Sequence, residues 1–279
     1  MRLLEARQRI GETRTRFATV KHPPVKPAPG GFPHRRASTL PFVSAGDMRE
    51  LQRSALETFH FDVLQMTENA GRAAAALVLA MFGGKARSQR VVVLAGGGSM
   101  GASGLAAARH MAKWGFNVEP VIGEITDEMA PVARRQVEIL RACGLYYGEQ
   151  ASSEETLREH LEHADLIVDS LVGYGLAGPP VGIAAAVAEL ATQSGRPVLS
   201  LDVPTGVDAT TGQVYQPAIR ATTTLLLDLP KRGILEESCR ACVGELFLAD
   251  VGVPALVYER AGIDLDGIFS EGPIVRIRR

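Results

Sequence analysis

Short apolar runs alternate with helical patterns along most of this 279-residue chain, and this alternation constrains its fold more than any other feature. The runs are about four to six residues long and rich in Val, Ile and Leu, as is typical of buried strands. Strands and helices that alternate this regularly require right-handed crossover connections, which produce a parallel sheet with helices on both faces. The sequence therefore predicts a Rossmann-like, doubly wound α/β domain with a mostly parallel sheet and three layers.

The predicted elements follow from this pattern. Strands are expected at 91–94, 118–122, 166–169, 198–202, 222–227 and 246–249. Helices are expected at 44–57, 63–82, 105–114, 127–143, 154–163 and 181–194. Aromatic residues are scarce, at 5% of the chain, whereas Gly, Ala, Val and Leu abound, which suits helices packed closely on a parallel sheet. Residues 42–279 are expected to form one domain.

Charge is unevenly distributed along the chain. Residues 1–40 carry a net charge of +7 and the remainder −8, for a total of −1. The first 40 residues also contain clustered Pro and Gly and few large apolar side chains, which predicts a disordered basic extension. A transit peptide is an alternative interpretation of this Arg-rich stretch. The mildly acidic remainder gives no indication of a nucleic-acid surface.

Membrane insertion and secretion are not expected. No apolar run reaches the roughly 18–20 residues that span a bilayer, and the N-terminus lacks the apolar region of a secretory signal. Cys143, Cys239 and Cys242 are too few for a disulfide framework, which predicts a reducing, cytoplasmic location. The Cys239–Cys242 pair lacks the further ligands that zinc requires, so a redox role and two incidental thiols both remain open.

Three loops that follow predicted strands hold the candidate site residues, because ligands bind at the carboxyl ends of parallel strands. The first loop, 96–104, is rich in glycine, which lets the backbone approach a phosphate at the start of a helix. Such a turn also occurs simply to pack a helix against a sheet. It lacks the Gly-Lys-Ser/Thr of a Walker A loop. The other loops begin at Asp169 and Asp202, whose carboxylates would reach one crevice or merely form turns.

Several motifs in one order resemble the NAD(P)H-hydrate epimerase family, also called the YjeF N-terminal domain, from about Val43 to Pro254. They are Met66-Thr67-Glu68-Asn69-Ala70-Gly71, segments 165–176 and 201–212, Pro230-Lys231-Arg232-Gly233, and segment 244–254. The resemblance implies a repair enzyme that interconverts the R and S forms of hydrated NADH and NADPH. A partner dehydratase would then restore both forms, and it is expected on a separate chain because the kinase-like dehydratase domain is absent here. Family members often form homodimers.

The resemblance also implies roles for individual residues. Asp202 would lie at the nicotinamide end as the general acid and base, with Lys231 either in electrostatic support or as an ordinary surface lysine. Side chains that match Asp169 and Thr205 hold a potassium ion in the family. The implied substrate-binding residues follow two strand ends: Ser99, Met100, Gly101, Ala102, Ser103, Gly173, Tyr174, Gly175, Leu176, Ala177, Gly178 and Pro179, together with Asp202.

The first loop departs from the family pattern. The family has Asn-Asn-Gly-Gly-Asp-Gly where residues 99–104 read Ser-Met-Gly-Ala-Ser-Gly. Met100 replaces a potassium-binding Asn with a thioether, a poor ligand for a hard cation, and Ser103 replaces an Asp. Three hypotheses therefore stand: an epimerase, a catalytically silent binding or scaffold protein of the same fold, and a nucleotide-dependent oxidoreductase. The absence of a dinucleotide fingerprint disfavours the third.

Overall fold

The computed structural model describes residues 31–123, 128–146, 153–265 and 267–279. Its centre is one eight-stranded sheet. The strands are β1 (His34–Arg36), β2 (Arg90–Ala95), β3 (Asn117–Ile122), β4 (Leu166–Ser170), β5 (Val198–Leu201), β6 (Thr223–Leu227), β7 (Glu245–Ala249) and β8 (Ile274–Arg278). They lie in the order β1-β8-β7-β6-β5-β4-β2-β3. Every neighbouring pair is parallel except β7 and β8, which confirms the mostly parallel sheet.

Helices cover both faces of the sheet. They are α1 (Ala45–Glu57), α2 (Val63–Met81), α3 (Ser99–Trp114), α4 (Pro131–Ala142), α5 (Glu154–Glu162), α6 (Gly182–Gln193), the single turn α7 (Arg240–Val243) and α8 (Ala255–Arg260). Val91 and Val93 of β2 pack with α2 and α3, whereas Val92 and Leu94 pack with α5 and α6. The period of two along a strand thus produces the predicted three layers. Among the described residues, no helix is long and apolar enough to cross a membrane.

Capping residues account for the starts of the first two helices. Ser44 caps α1, and its side chain and that of Asp47 form a reciprocal capping box. Asp62 and Gln65 form the same arrangement at the start of α2. Each capping box satisfies backbone N–H groups that have no acceptor within the helix. Local chemistry alone therefore accounts for both starts.

The glycine-rich segment after β2 is mainly helix, so the predicted loop 96–104 is wrong in extent. Only residues 96–98 form a turn, and α3 begins at Ser99 rather than at residue 105. A Cβ on Gly101 would lie 1.8 Å from the Gly96 carbonyl oxygen, and one on Gly104 would lie 1.9 Å from Ser170 Oγ. These glycines therefore let the helix pack against the turn and β4, which overcomes their low helix propensity.

The folded part begins earlier than the predicted start near Phe42. Residues 34–36 form β1, which pairs with β8, and the Arg276 N–H donates to the Pro33 carbonyl. Leu40 is buried in the core beside β8. The described residues 31–40 are thus not a disordered extension, because their pairing partner lies about 240 positions away, where a local pattern cannot reveal it. Residues 1–30 lie outside the described part, as does residue 127, where the fourth helix was predicted to begin.

Candidate active site

A cavity of about 520 Å³ lies at the carboxyl ends of the central strands. The strand order reverses here, because β2 pairs with β3 on one side and with β4 on the other. This is the topological switch point at which open parallel sheets bind ligands. The lining comes from α1, α2, the start of α3 and the strand-end loops: Arg49, Gln52, Val63, Met66, Thr67, Ala70, Gly98, Ser99, Met100, Ser103, Leu171, Val172, Gly173, Tyr174, Gly175, Asp202, Leu227, Asp228, Lys231 and Val251.

One end of the cavity is the N-terminus of α3. Gly98 is the N-cap residue, so no side chain caps the helix, and the first turn contains no acidic residue. The Ala102 N–H donates to the Gly98 carbonyl, and the N–H groups before it have no acceptor within the helix. These groups, with the positive end of the helix dipole, favour a bound anion such as a phosphate.

Asp169 lies at the carboxyl end of β4, as predicted, and its carboxylate joins this strand to the segment after β5. Its Oδ2 accepts hydrogen bonds from Ser200 Oγ at 2.8 Å and the Thr205 N–H at 2.9 Å. Its Oδ1 accepts from Thr205 Oγ1 at 2.8 Å and from the Leu171 N–H at 3.3 Å. Burial raises the pKa of this carboxyl, and the hydrogen bonds from Thr205, Ser200 and Leu171 oppose the rise.

Asp169 and Thr205, the residues implied for the potassium site, both take part in hydrogen bonds within the protein. Both carboxylate oxygens already accept two hydrogen bonds each. The Thr205 hydroxyl donates to Asp169 and also accepts the Val172 N–H at 3.2 Å. Within the described ranges, no group of three or more His, Cys, Asp or Glu side chains could hold a metal ion. The hydrogen bonds of these two residues therefore hold together the loops after β4 and β5.

Asp202 and Lys231 form a buried ion pair in the cavity wall. Lys231 Nζ lies 2.5 Å from Asp202 Oδ1 and donates a second hydrogen bond to the Leu227 carbonyl at 2.8 Å. The same Asp202 oxygen accepts the Leu227 N–H at 3.1 Å. Each side chain is 1% exposed, so Lys231 is not an ordinary surface lysine. The pair therefore holds one carboxylate in a fixed position in the cavity wall.

Tyr174 covers this ion pair. Its ring centroid lies 5.5 Å from Lys231 Nζ, and its hydroxyl donates to Gln52 Oε1 at 2.5 Å. Burial, with a smaller effect from the Asp202 charge, raises the pKa of Tyr174 to about 12. The phenol is therefore neutral at physiological pH and acts as a hydrogen-bond donor.

A second carboxyl group, which the sequence interpretation missed, also lines the cavity. Asp228 follows the last residue of β6 and is 5% exposed. Burial raises its pKa to about 6, and the neighbouring Tyr258 hydroxyl opposes the rise. A signal was present in the sequence, because Leu-Asp-Val-Pro at 201–204 and Leu-Asp-Leu-Pro at 227–230 each follow an apolar run.

Only some of the predicted substrate-binding residues line the cavity. Those that line the cavity are Ser99, Met100, Ser103, Gly173, Tyr174, Gly175 and Asp202. Gly101 and Ala102 do not line it, because they occupy the opposite side of the first helical turn and are buried against the interior. Leu176, Ala177, Gly178 and Pro179 continue the loop beyond the lining.

Known proteins resemble this chain in sequence and in fold. The family model described as YjeF-related protein N-terminus matches residues 63–233. The chain is 38% identical to the NAD(P)H-hydrate epimerase of Dehalogenimonas lykanthroporepellens, across 82% of this chain and 90% of that protein. It is 32% identical to the NAD(P)H-hydrate epimerase of Rhodopirellula baltica, across 77% and 86%.

Two further matches are a longer protein and a solved structure. The bifunctional NAD(P)H-hydrate repair enzyme Nnr of Moorella thermoacetica is 31% identical across 76% of this chain, which spans 40% of that protein. The crystal structure of the yeast protein YNL200c has a TM-score of 0.73 at 23% identity, covering 85% of this chain and 100% of that one. The yeast structure thus shares the fold.

Proposed function

This chain belongs to the YjeF-related protein N-terminus family, and we propose that it epimerises hydrated NADH and NADPH. One structural observation carries the proposal. A single cavity joins a helix N-terminus suited to phosphate with a buried carboxylate–ammonium pair suited to proton chemistry. Similarity to named epimerases along most of their length supports the same conclusion.

The reaction requires loss and return of one hydroxyl group. The carbon that bears the hydroxyl is bonded to the ring nitrogen, whose lone pair expels the hydroxyl as water once the oxygen is protonated. Water then adds to the other face of the cationic ring and loses a proton. Asp202, ion-paired with Lys231, is the acceptor for that proton, because an ionised carboxylate only accepts hydrogen bonds. Its negative charge also stabilises the cationic ring between the two steps.

The same cavity supports an orientation for the substrate. Its phosphates would approach the first turn of α3 at Ser99 and Met100, where backbone N–H groups are available. Arg49 lines the cavity from α1, close enough to Tyr174 to lower its pKa, and adds a positive charge to the cavity wall. The hydrated ring would lie at the other end, beside Asp202. Leu171 and Val172 provide apolar surface between the two ends.

The direct test uses one purified epimer of hydrated NADH. We expect the protein to convert the pure R form into a mixture of both epimers much faster than an enzyme-free control, as followed by chromatography. The binding and scaffold hypothesis predicts a different result, in which the epimer ratio matches the control while the nucleotide still binds with measurable affinity. That outcome would exclude the enzymatic proposal.

We infer that substrate binding does not require potassium. The Asp169 oxygens and the Thr205 hydroxyl are occupied by hydrogen bonds, and Met100 provides a thioether where an amide would bind the ion. Substrate affinity is expected to be equal, within about twofold, in potassium chloride and in tetramethylammonium chloride at the same ionic strength. Titration calorimetry measures both values. A much weaker affinity in tetramethylammonium would contradict the inference and imply a potassium site built from backbone carbonyls.

The proposed reaction also implies partners. We propose that an NAD(P)H-hydrate dehydratase consumes one of the two epimers, since the Moorella relative is named a bifunctional NAD(P)H-hydrate repair enzyme and this chain matches one part of it. A homodimer and a cytoplasmic location belong to the same proposal. The three cysteines are free, which supports a reducing compartment.

A further inference from the structure

Asp202 and Asp228 occupy equivalent turns at the ends of neighbouring strands. Each has a positive φ, 65° at Asp202 and 71° at Asp228. In both turns the N–H group after the aspartate donates a hydrogen bond to the carbonyl before it. The distances are 2.8 Å from Val203 to Leu201 and 2.9 Å from Leu229 to Leu227. A three-residue turn of this kind with positive φ is rare and strained. Such strain persists where the surroundings enforce it, and it is concentrated at functional sites.

The two carboxyl groups have different surroundings although they share one cavity. Asp202 is held by the Lys231 ammonium and the Leu227 N–H. The Oδ2 atom of Asp228 is buried and, within the described residues, has no hydrogen-bond partner. The buried Tyr258 hydroxyl interacts with the Asp228 carboxyl and lowers its pKa. A buried carboxyl without an ion-pair partner is more stable when it carries a proton.

We propose that Asp228 is a second catalytic residue, the general acid that protonates the departing hydroxyl group. This inference rests on the proposed epimerase function. The Asp228 proton moves to the hydroxyl oxygen, the carbon–oxygen bond breaks as the ring nitrogen shares its lone pair, and water leaves. Water then adds to the other face and gives its proton to Asp202. Transfer of that proton through cavity water from Asp202 to Asp228 restores both groups, so no other reactant is needed.

The charges around Asp228 support a proton donor that works near neutral pH. Burial is the main cause of the rise of its pKa to about 6, and the negative charges of Asp250 and Asp202 add to it. Tyr258 of α8 and the Lys231 ammonium oppose the rise. Asp202 is thus ion-paired with Lys231 and able to accept a proton, while its neighbour Asp228 is able to hold one. Two carboxyl groups with such different environments are the usual arrangement for acid and base in one site.

The first test is Asp228→Asn, measured as kcat/KM for epimerisation. We expect a decrease of about 10²- to 10⁴-fold, because an amide cannot donate this proton. Asn adopts positive φ more readily than most residues, so the turn and the fold should be retained, as checked by thermal unfolding. Asp250→Asn is the matched control. Asp250 lies close enough to influence Asp228 but does not line the cavity, so this variant should keep wild-type kcat/KM at low pH.

The pH profile distinguishes a proton donor from a purely structural aspartate. Wild-type kcat/KM should fall as the pH rises above about 6, and this fall should be absent in Asp228→Asn. Tyr258→Phe should move the fall to higher pH, because the hydroxyl that lowers the pKa of Asp228 is removed. Asp250→Asn should move it to lower pH. Opposite displacements of this kind are not expected from changes in folding.

The outcomes separate this inference from the proposed function. If wild-type protein does not change the epimer ratio, the epimerase proposal itself fails. If wild-type protein is active and Asp228→Asn keeps its rate and its pH profile, the assignment of Asp228 is overturned. Should Asp228→Asn not fold, an unmoved profile in both Tyr258→Phe and Asp250→Asn would overturn the assignment.

Discussion

Asp202→Asn is expected to reduce epimerisation by about 10²- to 10⁴-fold, the usual effect of removing a positioned acid–base group. The amide cannot accept a proton from the returning water, and it has no charge to stabilise the cationic ring. The amide oxygen can still accept the Leu227 N–H, and Asn tolerates the positive φ of this turn. Substrate affinity should therefore change little, because the phosphates are expected at the start of α3, away from this residue.

The variant also leaves the Lys231 ammonium buried without its anionic partner. Breaking a buried ion pair in this way typically costs about 3–5 kcal/mol of stability. The control is therefore the double variant Asp202→Asn with Lys231→Met, which removes both charges and should recover most of the lost stability. If the lost activity came from unfolding, the double variant would recover it. We expect it to recover stability in urea denaturation and to remain inactive.

An Asp202→Asn variant that turns over at the wild-type rate would contradict the catalytic assignment. Asp202 would then be a turn residue whose bonds an amide can replace. The ion pair would in that case serve only to fix the strand end.

Asp169→Ala is expected to lower the free energy of unfolding by about 3 kcal/mol or more. The substitution removes the acceptor of two buried backbone N–H groups, those of Thr205 and Leu171. Each orphaned buried N–H costs about 1–3 kcal/mol, and the Ser200 and Thr205 hydroxyls also lose their acceptor. Ser200→Ala is the matched control, because it removes one of these hydrogen bonds and leaves the carboxylate in place. It should cost about 1 kcal/mol.

The destabilisation should depend on pH in a defined direction. Burial raises the pKa of Asp169 in the folded protein, so the folded state binds this proton more tightly than the unfolded state does. The contribution of Asp169 to stability is therefore complete below its unfolded pKa and is lost as the pH rises through its folded pKa. The difference between wild type and Asp169→Ala should be larger at pH 5 than at pH 8. Equal stability of the two variants would show that the four hydrogen bonds of Asp169 are not structural, and would reopen its assignment as an ion ligand.

Local chemistry in the sequence was sufficient to predict most of the fold. Ser44 and the helical spacing that follows it predicted the first helix, because these signals act over a few residues. Apolar runs such as 91–94 predicted the buried strands, since a strand covered on both faces needs no polar side. The strand-end position of Asp169 and Asp202 followed directly, and the parallel sheet brought their loops to one edge.

The protonation and packing environment of each site residue was decided by contacts between distant parts of the chain. Lys231 reads as a surface lysine in a Pro-Lys-Arg-Gly turn, yet it is buried because Asp202, 29 residues earlier, neutralises it. Asp169 was predicted either to reach the crevice or to form a turn, and its carboxylate accepts hydrogen bonds from Ser200 and Thr205. Asp228 is a candidate proton donor because β5 and β6 pair side by side, which brings it to the same cavity as Asp202. A sequence pattern records which atoms a side chain carries, whereas burial and hydrogen-bond partners depend on the neighbours that folding brings together.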